Sequence, residues 1–479
     1  MDLIILIPFF ACLAVLVMRS ARHAFAYVFL PTIMLLPGYW TLRLPHIPPL
    51  SFTDVVILPL GLVLLATEIR RWRFDWMDLW VLLFAVSAGM SEGLSAELAY
   101  GTWPRLFSAD SAASVALSYN INNGIYAFFG RINSVILPYV VGKLIIEHGE
   151  LNGQPMRKVM IRRIVTFLSI VSAFGIIDFL NGRSTYQRVF RHFFVGQMID
   201  FPEQVRWGFG RIAGPFGHAI LAGMVFLTGL IYFLWLLWVD RDWGGRPFMK
   251  AFPLKMRTIV LLALFGGLLM TQSRGPWIGV ILSLIFALLA RVMSAGKAAV
   301  VFLALVVGLG SVVYIVGKQY TQGPREAAAS ESQASAIYRR ELLQTYIPVI
   351  RERPAFGWGF TDYPGPNGQK SIDNEFLWVV VTQGFFGLAI FFMIAIGSGI
   401  RLLKYVGKPL VPEDRLLVFA HIAVLMGLLT SLATVYMGGE VMVVYFLVIG
   451  WVQGMRPRLA VAGAPGSMGR PLRFRRVLT

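Results

Sequence analysis

Long apolar runs separated by short polar connections dominate the chain. Thirteen runs stand out, roughly 2–18, 24–39, 53–68, 75–90, 122–146, 161–180, 217–239, 257–272, 275–291, 298–317, 375–399, 415–434 and 440–455. Runs of about 16–25 apolar residues can cross a bilayer as helices. The pairs within 2–39 and 415–455 have very short connections, and 75–90 is short for a span. The longest polar interval, 318–374, has a pattern of its own. Its stretch "ESQASAIYRRELLQTYIPVIRERP" puts Tyr338, Leu342, Tyr346 and Val349 on one stripe, as an amphipathic helix would. Pro348 is expected to kink or end that helix. "AFGWGF" and the Gly/Pro-rich "TDYPGPNGQK" then supply turn chemistry. No soluble domain and no internal repeat stands out.

Composition supports the same picture. The 479 residues are 57% hydrophobic and 14% charged, with a mean hydropathy of +0.68. A soluble protein of this make-up would expose too much apolar surface. The expected fold is therefore all-α, a polytopic integral membrane bundle of about 12–13 helices. The single cysteine, Cys12, permits no intrachain disulfide. The first run lacks a basic n-region and a small-residue cleavage site, so it reads as a retained helix.

A net charge of +18 in a soluble domain would point to nucleic acid; here its distribution matters more, and no nucleic-acid partner is expected. Connections on one side (19–23, 69–74, 143–163, 240–257, 291–297, 401–415, 454–479) hold 27 Lys and Arg, against about 15 on the other, over longer loops. Positive residues favour the cytoplasm. The N-terminus is thus expected outside and the acid-free, Arg-rich tail 456–479 inside, against anionic headgroups of the bilayer. Segments 91–121, 181–216 and 318–374 then share the outer face.

Three arginine-bearing stretches fall on that face: "RIAGPFGHAILAG" (211–223), "SRGPWIG" (273–279) and "YRRELL" (338–343). Arginine suits bidentate contact with phosphate oxygens. Headgroup snorkelling is the alternative for any one interfacial arginine. Arg131 lies inside a predicted span, as a buried ion pair, a carbonyl partner or a functional charge. Asp373, Asn374 and Glu375 directly precede a helix, where Asp or Asn serves as an N-cap. A carboxylate there, facing arginines, is also placed to activate a hydroxyl group. His218 and His421 fall at or within spans, as hydrogen-bonded structure or as catalysts. Metal-ligand spacing, a Walker loop and paired Cys-x-x-Cys are absent from the sequence, so a reaction without metal or cofactor is expected.

Taken in order, "RIAGPFGHAILAG", "TQSRGPWIGVILSLIFALL", "YRRELLQTYIPVIRERPAFGWGF" and "DNEFLWVVVTQGFFGLAIFF" resemble the O-antigen ligase and Wzy-type polymerase family over about 211–392. The resemblance implies a GT-C-like glycosyltransferase of the bacterial inner membrane with a large periplasmic loop. It divides the chain into N-terminal helices (1–210), a ligase/polymerase-like core (211–400), C-terminal helices (401–455) and a basic tail (456–479). Members take a glycan from undecaprenyl diphosphate on the periplasmic side and attach it to an acceptor hydroxyl. Arginines matching Arg211 and Arg274 bind the donor diphosphate in family members. A histidine thought to activate the acceptor in ligases is replaced here by Asp373, a departure that resembles polymerase-like members.

The resulting expectation is a polymerase of lipid-linked repeat units, inverting and metal-independent. Arg211, Arg274 and Asp373 are its candidate catalytic groups. Arg340, Tyr338, Arg131, Asn374, Glu375, Glu341 and His218 are further substrate-binding candidates, with Glu375 and Glu341 as alternative bases. A chain-length regulator is a candidate partner. The alternatives are an O-antigen ligase or protein O-oligosaccharyltransferase using the same donor and, more distantly, a flippase or transporter. Transporters carry repeats and broken helices with polar groups at the midplane, whereas polar groups here concentrate at one face.

Overall fold

The computed structural model describes residues 2–44, 48–100, 122–194, 204–249, 254–293, 295–361, 363–366 and 371–460. The basic tail beyond Ala460 and most of the 91–121 connection lie outside the described residues. All thirteen predicted runs fall on helices. These are α1 (Leu6–Met18), α2 (21–35, with a π-helical turn at Phe25–Phe29), α3 (Phe52–Glu68), α4 (Trp76–Tyr100), α5 (Asn122–Ile145) and α6 (Met156–Asn181). After the short α7 (Thr185–Phe190) come α8 (Ala219–Val239), α9 (Met256–Met270), α10 (Arg274–Val292) and α11 (Ala295–Tyr320). The loop helix α12 (Glu331–Glu352) precedes α13 (Glu375–Val406), α14 (Pro412–Leu432) and α15 (Gly439–Gly454). Strands occur among the described residues only as three two-residue hairpins. The protein is an all-α, multi-pass membrane bundle: 8 of its described helices are long and apolar enough to cross a bilayer.

Apolarity sorts the helices into centre and rim. α8 and α15 are apolar all round and buried along nearly their whole lengths, as expected of helices with no polar face. At the rim, Leu62, Phe174, Leu262, Ile281, Ile396 and Leu403 are each more than 45% exposed, a belt suited to lipid tails. Where α5 meets α15, a Cβ on Gly142 would fall 2.9 Å from the Trp451 amide nitrogen. Small residues at that crossing let two membrane helices touch backbone to backbone.

The two ends of the bundle differ in chemistry. One is laced by ion pairs: Arg157 reaches Glu413 (2.8 Å) and Asp414 (2.9 Å), Lys143 reaches Asp78 (2.5 Å), and Arg401 reaches Asp75 (2.6 Å). At the other end lie the starts of α8, α10, α13 and α15.

Of the two outcomes expected at Pro348, ending the loop helix is excluded, because the helix runs on to Glu352. Pro348 and Gln344 are both exposed, so the Gln344 carbonyl that proline cannot satisfy reaches solvent instead. The stripe of Tyr338, Leu342, Tyr346 and Val349 packs as expected, against Leu377, Val380 and Val381 of α13. One expectation is corrected: the 375–399 run is not one unbroken helix. It breaks at Gly384 (φ 68°, ψ −174°). Phe385 N donates to Pro354 O (2.7 Å) and Phe386 N to Ala355 O (3.1 Å). The matching carbonyls of Val381 and Thr382 accept from Trp358 N and Gly359 N, both at 2.9 Å. Segment 354–359 thus replaces two helical hydrogen bonds with four of its own. Irregular backbone at membrane depth survives only with such internal partners. Beyond it, Phe360 N, Thr361 N and Thr361 Oγ1 all donate to the Glu92 carboxylate on α4.

Candidate functional site

Ahead of α8 the chain forms a hairpin, Val205–Arg206 against Phe209–Gly210. Its turn residues, Trp207 and Gly208, both have positive φ (56° and 81°), the conformation of tight two-residue hairpin turns. The hairpin lies across the end of α9. Ile212 N donates to Met270 O (3.1 Å), Arg211 Nε to Thr271 O (3.1 Å) and Arg206 Nη1 to Gln272 O (2.6 Å). The last carbonyls of a helix have no partner within it, and cations favour that negative dipole end. Ile212 thus satisfies the last carbonyl of α9, and Arg206 and Arg211 hold the two residues that follow it.

Gln272 then reverses the chain at φ 48°, and α10 begins two residues later. Arg211 Nη2 donates to Ser273 Oγ (2.9 Å), on the residue before Arg274. Arg211 and Arg274, far apart in sequence, meet at one turn. Arg211 Nη1 also donates to Gln204 Oε1 (2.5 Å). A guanidinium carries five N–H donors. Three are engaged here, leaving one on each terminal nitrogen. Burial, then the neighbouring Arg206, lower the Arg211 pKa to about 10, so it stays cationic at neutral pH.

His218 has both ring nitrogens engaged. Its Nδ1 accepts from Ile220 N (3.2 Å), capping α8, and its Nε2 lies 2.9 Å from the Gln204 amide nitrogen. Burial, then Arg211, depress its pKa to about 4, so the imidazole is neutral and adds no further cation.

The loop helix closes the other side. Arg339, not singled out in the sequence, interacts electrostatically with both Asp373 and Arg274. Burial lowers its pKa, Asp373 opposes that, and Arg274 adds to it. Tyr338 OH donates to Ser371 O (3.1 Å), and Ser371 Oγ to Asp373 Oδ1 (3.3 Å), so α12 fixes the segment that carries the acid. Arg340 turns away, donating to the carbonyls of Thr321 and Gly323. Glu341 lies roughly 200° around the helix from Arg339.

At the start of α13 the three polar residues separate. Asn374 is the N-cap, accepting from Leu377 N (3.1 Å). Asp373, one position earlier, is half-buried and is not the cap. Glu375 turns inward at 2% exposure and accepts from Met437 N (2.6 Å). It interacts electrostatically with Arg131, whose Nη1 contacts Met442 Sδ (2.5 Å) and whose guanidinium lies 4.9 Å from the Phe360 ring centroid. Arg131 thus belongs to a wall made by α15 and the long loop, not to the 271–274 turn. Tyr436 joins the two regions: burial, then Glu440, Asp373 and Glu375, raise its phenol.

The turn with Arg274, the loop helix and the start of α13 form one continuous stretch of sequence. Residues 259–392 match the model of the O-antigen ligase family. No curated protein matches the chain significantly. The O-antigen ligase match includes Arg274, Arg339, Asp373 and Glu375 and supports a membrane protein that processes glycans by glycosyl transfer. Gln204, Arg206, Arg211 and His218 come from before the matched segment, and the fold brings them onto it.

Sequence reading missed Arg206, Gln204, Arg339 and Tyr436. A signal existed for two of them. "VRWGFGR" has the Trp-Gly centre of a tight hairpin, which returns Arg211 beside Arg206. Arg339 flanks the apolar stripe, three before Leu342 and seven before Tyr346, whereas Arg340 does not.

Proposed function

We propose that the protein polymerises undecaprenyl-diphosphate-linked repeat units at the periplasmic face of the inner membrane. The observation that carries this reading is the convergence of Arg206, Arg211, Arg274 and Arg339 at one turn, with Asp373 alongside. The remaining donors of Arg211, with Arg274 and Arg339, hold the donor diphosphate.

The acceptor hydroxyl attacks C1 of the donor sugar from the face opposite the diphosphate. A new C1–O bond forms, the C1–O bond to the diphosphate breaks, and its electron pair leaves with the phosphate oxygen. The acceptor proton passes to the Asp373 carboxylate or, through it, to water. Fixed cations aimed at the developing phosphate charge lower the barrier, because they need no reorganisation as the bond breaks.

The family match also accommodates ligation to a separate acceptor. The test is the glycan that accumulates in cells lacking the protein. Single lipid-linked repeats are expected of a lost polymerase; long lipid-linked polymer would replace this reading with a ligase.

A further inference from the structure

A cleft of about 390 Å³ lies at the opposite end of the bundle, between the start of α4 and the last turns of α13, with Gln453 of α15 also lining it. We infer that it binds one anionic glycerophospholipid, with the phosphate at the bundle end and the acyl chains running into the bilayer. No residue of the arginine turn or of the loop helix lines it. Its volume is in the range of about 300–1,000 Å³ usual for small-molecule sites.

Three observations select the ligand. The first is the order of residues along one helix face. Met393, Ile396, Gly397, Ile400, Arg401 and Lys404 line the cleft at helical spacing, so they share one stripe of α13. The stripe is apolar at depth and cationic at its outer end. From Met393 to Arg401 it runs about 12 Å, at about 1.5 Å per residue. That is most of the roughly 15 Å of hydrocarbon in one leaflet. Met393, Ile396 and Ile400 are 44%, 55% and 48% exposed, so acyl chains can lie along them.

The second is charge. Arg401, Lys404 and Lys408 line the outer end against one carboxylate, Asp75, which leaves an excess of positive charge. Arg401 Nη1 donates to Asp75 Oδ2 (2.6 Å) and Nη2 to Gln453 O (2.8 Å). Those bonds fix the fork and leave one N–H on each terminal nitrogen. Lys404 and Lys408 are exposed, and neither joins an ion pair among the described residues. Basic pockets between membrane helices suit anionic headgroups, whereas the ammonium of a zwitterionic lipid would be repelled here. The third is aromatic. Exposed Trp76 and half-buried Trp80 line the cleft from α4, and tryptophan collects at headgroup level. Snorkelling accounts for the two lysines; it does not call for a cleft, a clamped arginine or an apolar stripe beneath them.

The test titrates the full chain in detergent with phosphatidylglycerol and with phosphatidylcholine of the same acyl chains, and reads bound lipid by native mass spectrometry. One phosphatidylglycerol should be held several-fold more tightly than phosphatidylcholine. A photoreactive phosphatidylglycerol should label residues 77–80 and 393–400. Lys404→Gln with Lys408→Gln should weaken that lipid about 25-fold, at about fivefold per surface cation. Arg241→Gln with Arg246→Gln removes the same charge from exposed positions just past the end of α8, at the same end of the bundle, and should leave the lipid bound. Excess inorganic phosphate should not displace it. Equal retention of the two lipids, equal weakening by the two double variants, or labelling confined to other helices overturns the inference. Displacement by inorganic phosphate assigns the cleft to a free anion and overturns the lipid.

Discussion

Gly384→Ala isolates what the broken helix does. At φ 68°, ψ −174° the residue occupies a region essentially restricted to glycine, where another side chain costs about 1–3 kcal/mol. A Cβ would also fall 2.5 Å from Phe356 N and closer still to the Ala355 carbonyl, so segment 354–356 must retreat. Retreat releases the four backbone hydrogen bonds between 354–359 and 381–386. The helix has an escape: straightening lets Phe385 and Phe386 bond Val381 and Thr382 directly. Trp358 and Gly359 have none. Taking about 3 kcal/mol for strain and clash, and 1.4 kcal/mol per tenfold, the open loop gains roughly 100-fold in population. Hydrogen exchange in nanodiscs reads this amide by amide. Trp358 and Gly359 should exchange about 100-fold faster in the variant, while Phe385 and Phe386 stay protected. Activity should fall with them, because the loop's release frees Phe360 from Arg131 and Thr361 from Glu92. Wild-type protection at Trp358 and Gly359 would refute the reasoning.

Three further outcomes are expected. Arg211→Lys keeps the charge but not the fork that meets Thr271, Ser273 and Gln204, and should cost roughly 100-fold in polymer formed per inserted protein; Arg206→Lys, which can still donate to the Gln272 carbonyl, should cost far less. His218, depressed from 6.5 to about 4, contributes stability that is complete above pH 6.5 and lost as pH falls toward 4, up to about 3 kcal/mol. His218→Gln should flatten the melting temperature between pH 7 and 5 relative to wild type. Because Asn374 is the cap, Asn374→Ala should cost about 1 kcal/mol of stability, whereas Asp373→Asn should leave melting unchanged and lower turnover about 10²-fold; equal turnover for Asp373→Asn and wild type removes the base role.

Much of this was legible in the chain because bilayer thickness imposes a length and a composition on every spanning helix. The thirteen runs follow from that constraint, and an even number of crossings between Arg211 and Arg274 already allowed them one face. What the sequence hid is tertiary. The break at Gly384 lies in "TQGFFGL", an apolar stretch that reads as uninterrupted helix. Only segment 354–359, about 30 residues earlier, makes the break affordable by supplying replacement hydrogen bonds. The choice between Asp373 and Asn374 as cap was likewise undecidable from adjacent residues with equal capping ability. Arg339 and Arg340 are adjacent and identical in type, and only the packing of the loop helix against α13 distinguishes the one facing Asp373 and Arg274 from the one donating to Thr321 and Gly323.

The arginine turn combines two demands that seem opposed. Arg206 and Arg211 interact, as do Arg274 and Arg339, and Arg211 is bonded to the residue beside Arg274. Like charges held this close repel. The carbonyls of Met270, Thr271 and Gln272, at and just past the end of α9, offset part of that cost by accepting from segment 206–212, and a neutral His218 avoids adding to it. The same bonds fix the guanidinium orientations before any ligand arrives. A cluster that is costly alone, rigid, and open on two Arg211 donors suits a doubly charged phosphate group better than a headgroup anchor. Snorkelling requires only a long, flexible cation, and nothing in it calls for a fork clamped at three points.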